Sequence, residues 1–132
     1  MALKNIEDYN AARSRFVLIV DSNERNRQFL SSLLKQFEYD VYEAATAAEA
    51  LDLAAIISPV LIVIARGLDA GNDAPGLIKK LRSADVECTA PLIVLTTGRD
   101  ADFERECLSA GALTCLSAPV TLENFYRVIQ VA

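Results

Sequence analysis

"VLIVIARGLDAG", residues 60–71, decides how the rest of the chain is read. Five branched apolar residues, Val60 to Ile64, run without a polar interruption and stop at Ala65, Arg66 and a loop that holds Gly67 and Gly71. So short a run, bounded by turn residues, reads as a strand buried on both faces, as in the middle of a parallel sheet. The end of such a strand usually presents the chemistry of its fold. Here it holds an alanine and an arginine: either a reactive site without its reactive group, or a plain strand end.

Working outward, the same kind of run recurs at "FVLIV" (16–20), at "LIVLT" (92–96) after Pro91, and at "LTCLS" (113–117). "DVYEA" (40–44) alternates as a half-buried strand. Between the strands the period changes to that of a helix. Over 23–37, Phe29, Leu30, Leu33, Leu34 and Phe37 share one face. "TAAE" (46–49) is a capping box that opens a helix to about Ile57, stopped by Pro59. Asp73 caps a helix with Pro75 in its first turn, running to about Arg82. A fourth helix, with Phe103, Cys107 and Leu108 inward, ends at Ala110, where Gly111 suits a left-handed cap. Thr121 caps a last helix, with Leu122, Phe125, Tyr126 and Ile129 on one face.

Five strands alternating with five helices make an α/β fold with right-handed crossovers and a parallel sheet covered on both faces. The functional crevice of such a fold lies outside the carboxyl ends of the strands. That directs attention to Asp21 and Ser22, Ala65 and Arg66, Thr96 and Thr97, and Ser117, Ala118 and Pro119.

Bulk composition narrows the chemistry. The 132 residues suit one domain, 16–132, preceded by a polar, flexible lead-in over 1–15. Hydrophobic residues make up 52% and charged residues 23%, enough for a proper core. A net charge of −5 argues against nucleic acid as a direct partner, since that affinity comes from lysine and arginine displacing counterions. No apolar run approaches the roughly 20 residues that span a bilayer, and residues 1–15 lack the apolar core of a secretory signal. The three cysteines, Cys88, Cys107 and Cys115, have no paired spacing, which fits a cytoplasmic protein. Cys107 and Cys115 read as core, and Cys88, in a loop, as exposed. The chain has no histidine, which excludes histidine-based acid–base chemistry and the commonest metal ligand.

In this order the fragments resemble a bacterial response-regulator receiver domain of the chemotaxis-regulator type, from about Phe16 to Ile129. "VLIVDSNERNRQFLSSLL" is similar to the family's first strand and helix, "AATAAEAL" to the start of its second helix and "PLIVLTT" to its fourth strand. "SAGALTCLSAPV" resembles the approach to its lysine–proline turn. The resemblance implies a flavodoxin-like three-layer (βα)5 sandwich with sheet order 2-1-3-4-5, and a cis bond between Ala118 and Pro119.

It also implies a chemistry: an acceptor aspartate at the end of the third strand, two acids at the end of the first that help hold Mg²⁺, and a lysine before the proline. A hydroxyl on the fourth strand and an aromatic on the fifth report the change. Carried over, Asp21 is the first acid and Thr96 the hydroxyl. The second acid is Ser22, the acceptor is Ala65, the lysine is Ala118 and the aromatic is Cys115. The loop after Ala65 also lacks the family's methionine–proline and is one residue longer. Ala65 has no nucleophilic oxygen, so no aspartyl phosphate forms there. Asp21 alone is a poor ligand set for Mg²⁺, so no cofactor is expected.

The resemblance, with these departures, reads as a degenerate pseudo-receiver: a phosphorylation-independent signalling module rather than an enzyme. It implies a protein partner or a second copy docked on the fourth helix, fifth strand and fifth helix, through Asp102, Glu106, Cys115, Glu123, Tyr126 and Arg127. The last helix ends at "RVIQVA" without a polar finish, so an output domain is expected beyond Ala132. Two alternatives stay open: a crevice that senses a small anion or ion, and phosphotransfer through a displaced acceptor such as Asp69. Asp73 reads as a helix cap instead. Arg66 either folds over the crevice onto Asp21 or points into water.

Overall fold

A computed structural model describes residues 16–68, 73–117 and 120–131. Among them are five strands, β1 (Phe16–Val20), β2 (Asp40–Ala44), β3 (Leu61–Ala65), β4 (Leu92–Thr96) and β5 (Thr114–Ser117). They alternate with five helices, α1 (Glu24–Lys35), α2 (Ala47–Ile57), α3 (Ala74–Arg82), α4 (Ala101–Ala110) and α5 (Leu122–Val131). The strands form one sheet in the order β2-β1-β3-β4-β5, every pair parallel. This is the flavodoxin-like order expected from the resemblance.

Register follows from burial. Val17 to Val20 on β1 and Ile62 to Ile64 on β3 are at most 1% exposed, so both faces of the central strands are covered. Successive side chains point to opposite faces. Leu18, Val20, Ile62 and Ile64 pack with Ala50 of α2, Leu77 and Leu81 of α3 and Cys107 of α4. Val17, Ile19 and Val63 pack on the other side against Leu30 and Leu34 of α1 and Phe125 of α5. Pairing of Val20 with Ile64, Ala65 with Leu95 and Thr96 with Ser117 brings the carboxyl ends of four strands to one edge.

Each helix start carries a polar cap, which contributes about 1 kcal/mol. The Asn26 N–H donates to Asn23 Oδ1 at 3.1 Å, Glu49 N–H to Thr46 Oγ1 at 3.2 Å and Gly76 N–H to Asp73 Oδ1 at 3.0 Å. Asp100 receives the Phe103 N–H at 3.2 Å, and Thr121 the Asn124 N–H at 3.1 Å. The Glu49 carboxylate reaches back to the Ala45 N–H at 3.3 Å, one residue before the capping position.

Several expectations need correction. The third strand runs 61–65 rather than 60–64, because the Arg66 N–H donates to the Leu95 carbonyl and keeps Ala65 in the ladder. The first helix stops at Lys35; Phe37 lies beyond it and stacks on Tyr126 with centroids 5.3 Å apart. Phe29 and Leu108, expected inward, are half exposed, each at the rim of its helix's apolar face. Cys88, expected exposed, is buried: its N–H donates to the Leu81 carbonyl and its own carbonyl is taken by Arg82. Among the described side chains of α5 the buried one is Phe125, whereas Tyr126 is 47% exposed. The side chains of Leu122 and Ile129, the lead-in 1–15 and the Ala118–Pro119 bond lie outside the described residues.

Arg82, at the end of α3, joins two chain segments. It donates to the Cys88 carbonyl at 2.8 Å and to the Gly111 carbonyl at 3.0 Å. Gly111 has φ of 125°, and a Cβ there would sit 3.1 Å from Arg82 Nε. Arg82→Ala is expected to lower the unfolding free energy by about 2 kcal/mol, the worth of a hydrogen bond from a charged donor. Urea denaturation checks this, and an unchanged midpoint would mean that water replaces the guanidinium without loss.

Candidate functional site

The aligned strand ends open into a cavity of about 560 Å³. Ala65 and Gly67 come from the end of β3, Leu95, Thr96 and Thr97 from the end of β4, and Asp21 from the end of β1. Asn26, Phe29 and Leu30 of α1 form one wall, and Val120 closes the side toward β5. Arg66 lines it as well, so that apolar Phe29, Leu30, Ala65, Leu95 and Val120 face polar Asp21, Asn26, Arg66, Thr96 and Thr97, and the methyl of Ala65 sits where the fold presents its chemistry.

Asp21 is 5% exposed. Its Oδ1 accepts the Asn23 N–H at 2.8 Å, so the acid is satisfied in part by the turn that leads into α1 and not chiefly by solvent. Its own N–H donates to the Ala44 carbonyl, and its carbonyl accepts from Arg27 Nη1 at 2.7 Å. Arg27 also pairs with Glu43 at 3.2 Å, which ties α1 to β2.

Arg66 neither folds onto Asp21 nor points free into water. Its Nη2 donates to Asp100 Oδ2 at 2.8 Å, and the guanidinium lies 4.1 Å from the centroid of the Phe103 ring. The planar cation is thus stacked and paired at once, the geometry that distinguishes arginine from lysine. Asp100 does two jobs: one oxygen caps α4 and the other takes Arg66. The Phe103 N–H, followed by Arg66, holds the Asp100 carboxyl below the ordinary carboxylate range.

Thr96 is buried, and its hydroxyl donates to the Gly98 carbonyl at 2.8 Å, close to Ser117 Oγ at 3.4 Å. Thr97 is exposed and lines the cavity, whereas Ser22 is exposed and does not. Ala118, Pro119 and Asp69 lie outside the described residues. Asp73 is a helix cap. The crevice residues without a signal in the strand-end pattern are Asn26, Phe29, Leu30, Gly67, Leu95 and Val120, which belong to the walls. The partner of Arg66 was also missed, although an aspartate before "ADFE" is a helix-start pattern.

Among the described residues the oxygen donors do not fit a hard divalent cation: Asp21 is the one carboxylate of theirs that lines the crevice, and no three of their His, Cys, Asp or Glu side chains gather as metal ligands. Away from the crevice, Asp102 pairs with Arg105 and Glu123 with Arg127, all four exposed, while Glu106 is exposed and Cys115 half buried. Burial pushes the Cys107 thiol up to about 12, with Cys115 beside it adding to the rise. Burial raises Cys115 as well.

Two outcomes follow from these charges. With its pKa lowered in the fold, Asp100 contributes stability that is present above the ordinary carboxylate range and lost as pH falls through the lowered value. Arg66→Ala is expected to raise the Asp100 pKa part of the way back, because the Phe103 N–H stays; carboxyl-carbon NMR titration reads it, and an unmoved curve refutes the pairing. Cys107 is expected to alkylate at pH 8 at least about tenfold more slowly than in the unfolded chain, and Cys115 more slowly too, since the thiolate is the reactive form. Equal rates in the two states would contradict their burial.

The comparisons with known proteins agree with this geometry. Residues 17–130 match the response regulator receiver domain model. The transcriptional regulatory protein PdtaR of Mycobacterium tuberculosis is 29% identical over 128 residues, covering 95% of this chain and 60% of that protein. The KDP operon transcriptional regulatory protein KdpE of Escherichia coli is 33% identical over 116 residues, covering 88% of this chain and 50% of that protein. The chemotaxis protein CheY4 of Vibrio cholerae superposes with a TM-score of 0.81 at 25% identity, covering 89% of this chain and 98% of that one. The chain spans about half to three fifths of the length of these two curated relatives. No helix among the described residues is long and apolar enough to cross a membrane. With its parallel order, its crevice and a family match over most of its length, the chain belongs to the response regulator receiver domain family.

Proposed function

We propose that residues 16–132 act as a pseudo-receiver, a signalling domain that works by binding a protein partner without being phosphorylated. The observation that carries this is Ala65. It is the last residue of β3, at the floor of the crevice, where the family's acceptor carboxylate belongs. A methyl group offers no oxygen to a phosphoryl donor, so the acyl phosphate has nothing to form on. Asp21 stands without the second acid, Ser22 being exposed and outside the crevice. Arg66 is committed to Asp100 and Phe103, which also weakens the reading of the crevice as an anion sensor.

The partner surface proposed is that of α4, β5 and α5. A cavity of about 570 Å³ runs along β5, lined among others by Arg99 and Glu104, by Thr114, Cys115 and Ser117, and by Asn124 of α5. Exposed Asp102, Glu106, Glu123 and Arg127 on the two helices give this face a charged rim. Tyr126, expected there, is engaged within the fold through its stacking on Phe37. Receiver domains serve two-component signalling through partner proteins, and this chain makes up 60% or less of the curated relatives described above. A larger protein that carries the domain as one part fits that proportion.

Amide NMR spectra of the domain alone, with Mg²⁺, and with Mg²⁺ plus beryllofluoride test the reading. Resonances near Asp21, Ala65, Thr96 and Ala118 are expected to stay in place. Saturable shifts under beryllofluoride would show that the crevice still answers a phosphoryl mimic and would end the phosphorylation-independent proposal.

A further inference from the structure

The crevice has no phosphoryl acceptor at Ala65 but keeps a buried acid, and beside polar Asn26, Arg66, Thr96 and Thr97 it presents a continuous apolar wall. The Asp21 carboxylate, 5% exposed, accepts a single hydrogen bond among the described residues, the 2.8 Å contact from the Asn23 N–H. No lysine or arginine among those residues pairs with it. The two nearby guanidinium groups are both committed elsewhere: Arg27 to Glu43 and the Asp21 carbonyl, Arg66 to Asp100 over the Phe103 ring. A buried carboxyl group with one hydrogen bond and no cation beside it has acceptor capacity to spare, and a ligand that brings a charged donor fills it.

The rest of the cavity says what should carry that charge. Phe29 stands 54% exposed at its mouth, and Leu30, Leu95, Val120 and the Ala65 methyl supply further apolar surface. About 560 Å³ lies within the ordinary range of small-molecule sites. A bare divalent cation finds one carboxylate and leaves the apolar walls wet. An anion meets Asp21, and Arg66, the cation that lines the cavity, is already paired with Asp100. We infer that the crevice binds a small organic cation, a protonated amine with an aromatic or aliphatic body, its ammonium on Asp21 and its body against Phe29. The aromatic wall adds a cation–π and stacking surface at the mouth. This inference rests on the pseudo-receiver reading, because a phosphoryl group held at the same strand ends would compete for the space.

The test uses 2-phenylethylamine as the cation and phenylacetate as its anionic counterpart, each titrated into the whole chain and followed by amide NMR. The amine is expected to shift residues around Asp21, Phe29 and Thr97 saturably at millimolar concentration, and phenylacetate is not. Asp21→Asn keeps an oxygen for the Asn23 N–H and is expected to weaken the amine about tenfold, the worth of a charged hydrogen bond. Phe29→Ala, at an exposed position that leaves the core intact, is expected to weaken it several-fold. A flat amine titration, equal binding of phenylacetate, or undiminished binding by Asp21→Asn overturns the inference. Saturable shifts with Mg²⁺ alone also overturn it, since the carboxylate then already serves a metal. A flat amine titration with no response to beryllofluoride defeats only this inference, whereas a beryllofluoride response defeats the pseudo-receiver reading beneath it.

Discussion

The three central strands have no wet face, and everything else in the molecule follows from that. From Val17 to Val20, from Ile62 to Ile64 and from Leu92 to Val94, each side chain is enclosed by helices on one side of the sheet or the other. A polar group placed along those strands would lose its water without gaining a partner. Chemistry is therefore pushed off the sheet and onto the residues that follow each strand, where loops and helix starts supply N–H groups and solvent is within reach. Asp21, Arg66 and Thr97 stand at strand ends because the strands before them are apolar up to their last residue, and Thr96, the buried exception, sits at that end with the Gly98 carbonyl as its acceptor.

At that edge the charges have been redistributed. An acidic crevice with a metal would need several carboxylates held against their mutual repulsion by cations. Among the described residues one carboxylate lines the crevice, and its turn N–H holds it in place without a cation. Arg66, the residue directly after the alanine, also lines the crevice, but Asp100 and the face of Phe103 offer it both a charge and a ring and hold its guanidinium. The result is a cleft with one acid, one cation already paired, and an apolar wall between them.

Most of the frame was legible because the residues that form it have one physical role each. Continuous branched runs mark strands buried on both faces, and Thr46, Asp73 and Thr121 mark helix starts whose orphan N–H groups need an acceptor. Failures gathered where a residue had two options of similar merit. Phe29 and Leu108 fall on an apolar stripe by spacing, yet each lies at its rim, where helix rotation decides burial and spacing alone does not. Cys88 looked exposed because it sits in a loop, but Arg82 draws that loop down by its carbonyl, a contact between positions with no local signature. Arg66 reads from the sequence either as a partner of Asp21 or as free in water, and it is neither, since it pairs with Asp100. Its choice between Asp21 and Asp100 depends on where α4 begins in space, which is a property of the packed sheet.

The clasp between Arg66 and Asp100 has a kinetic side. It joins positions 34 residues apart in the chain, and both partners are well exposed, with side chains 44% and 40% accessible. Exposed ion pairs are weak, and exposed side chains change rotamer within nanoseconds. The pair is then remade many times during any slower loop motion, while the Phe103 N–H keeps Asp100 in place as the cap of α4. Its contribution is an average over closed and open forms, and added salt lowers that average by screening the two charges.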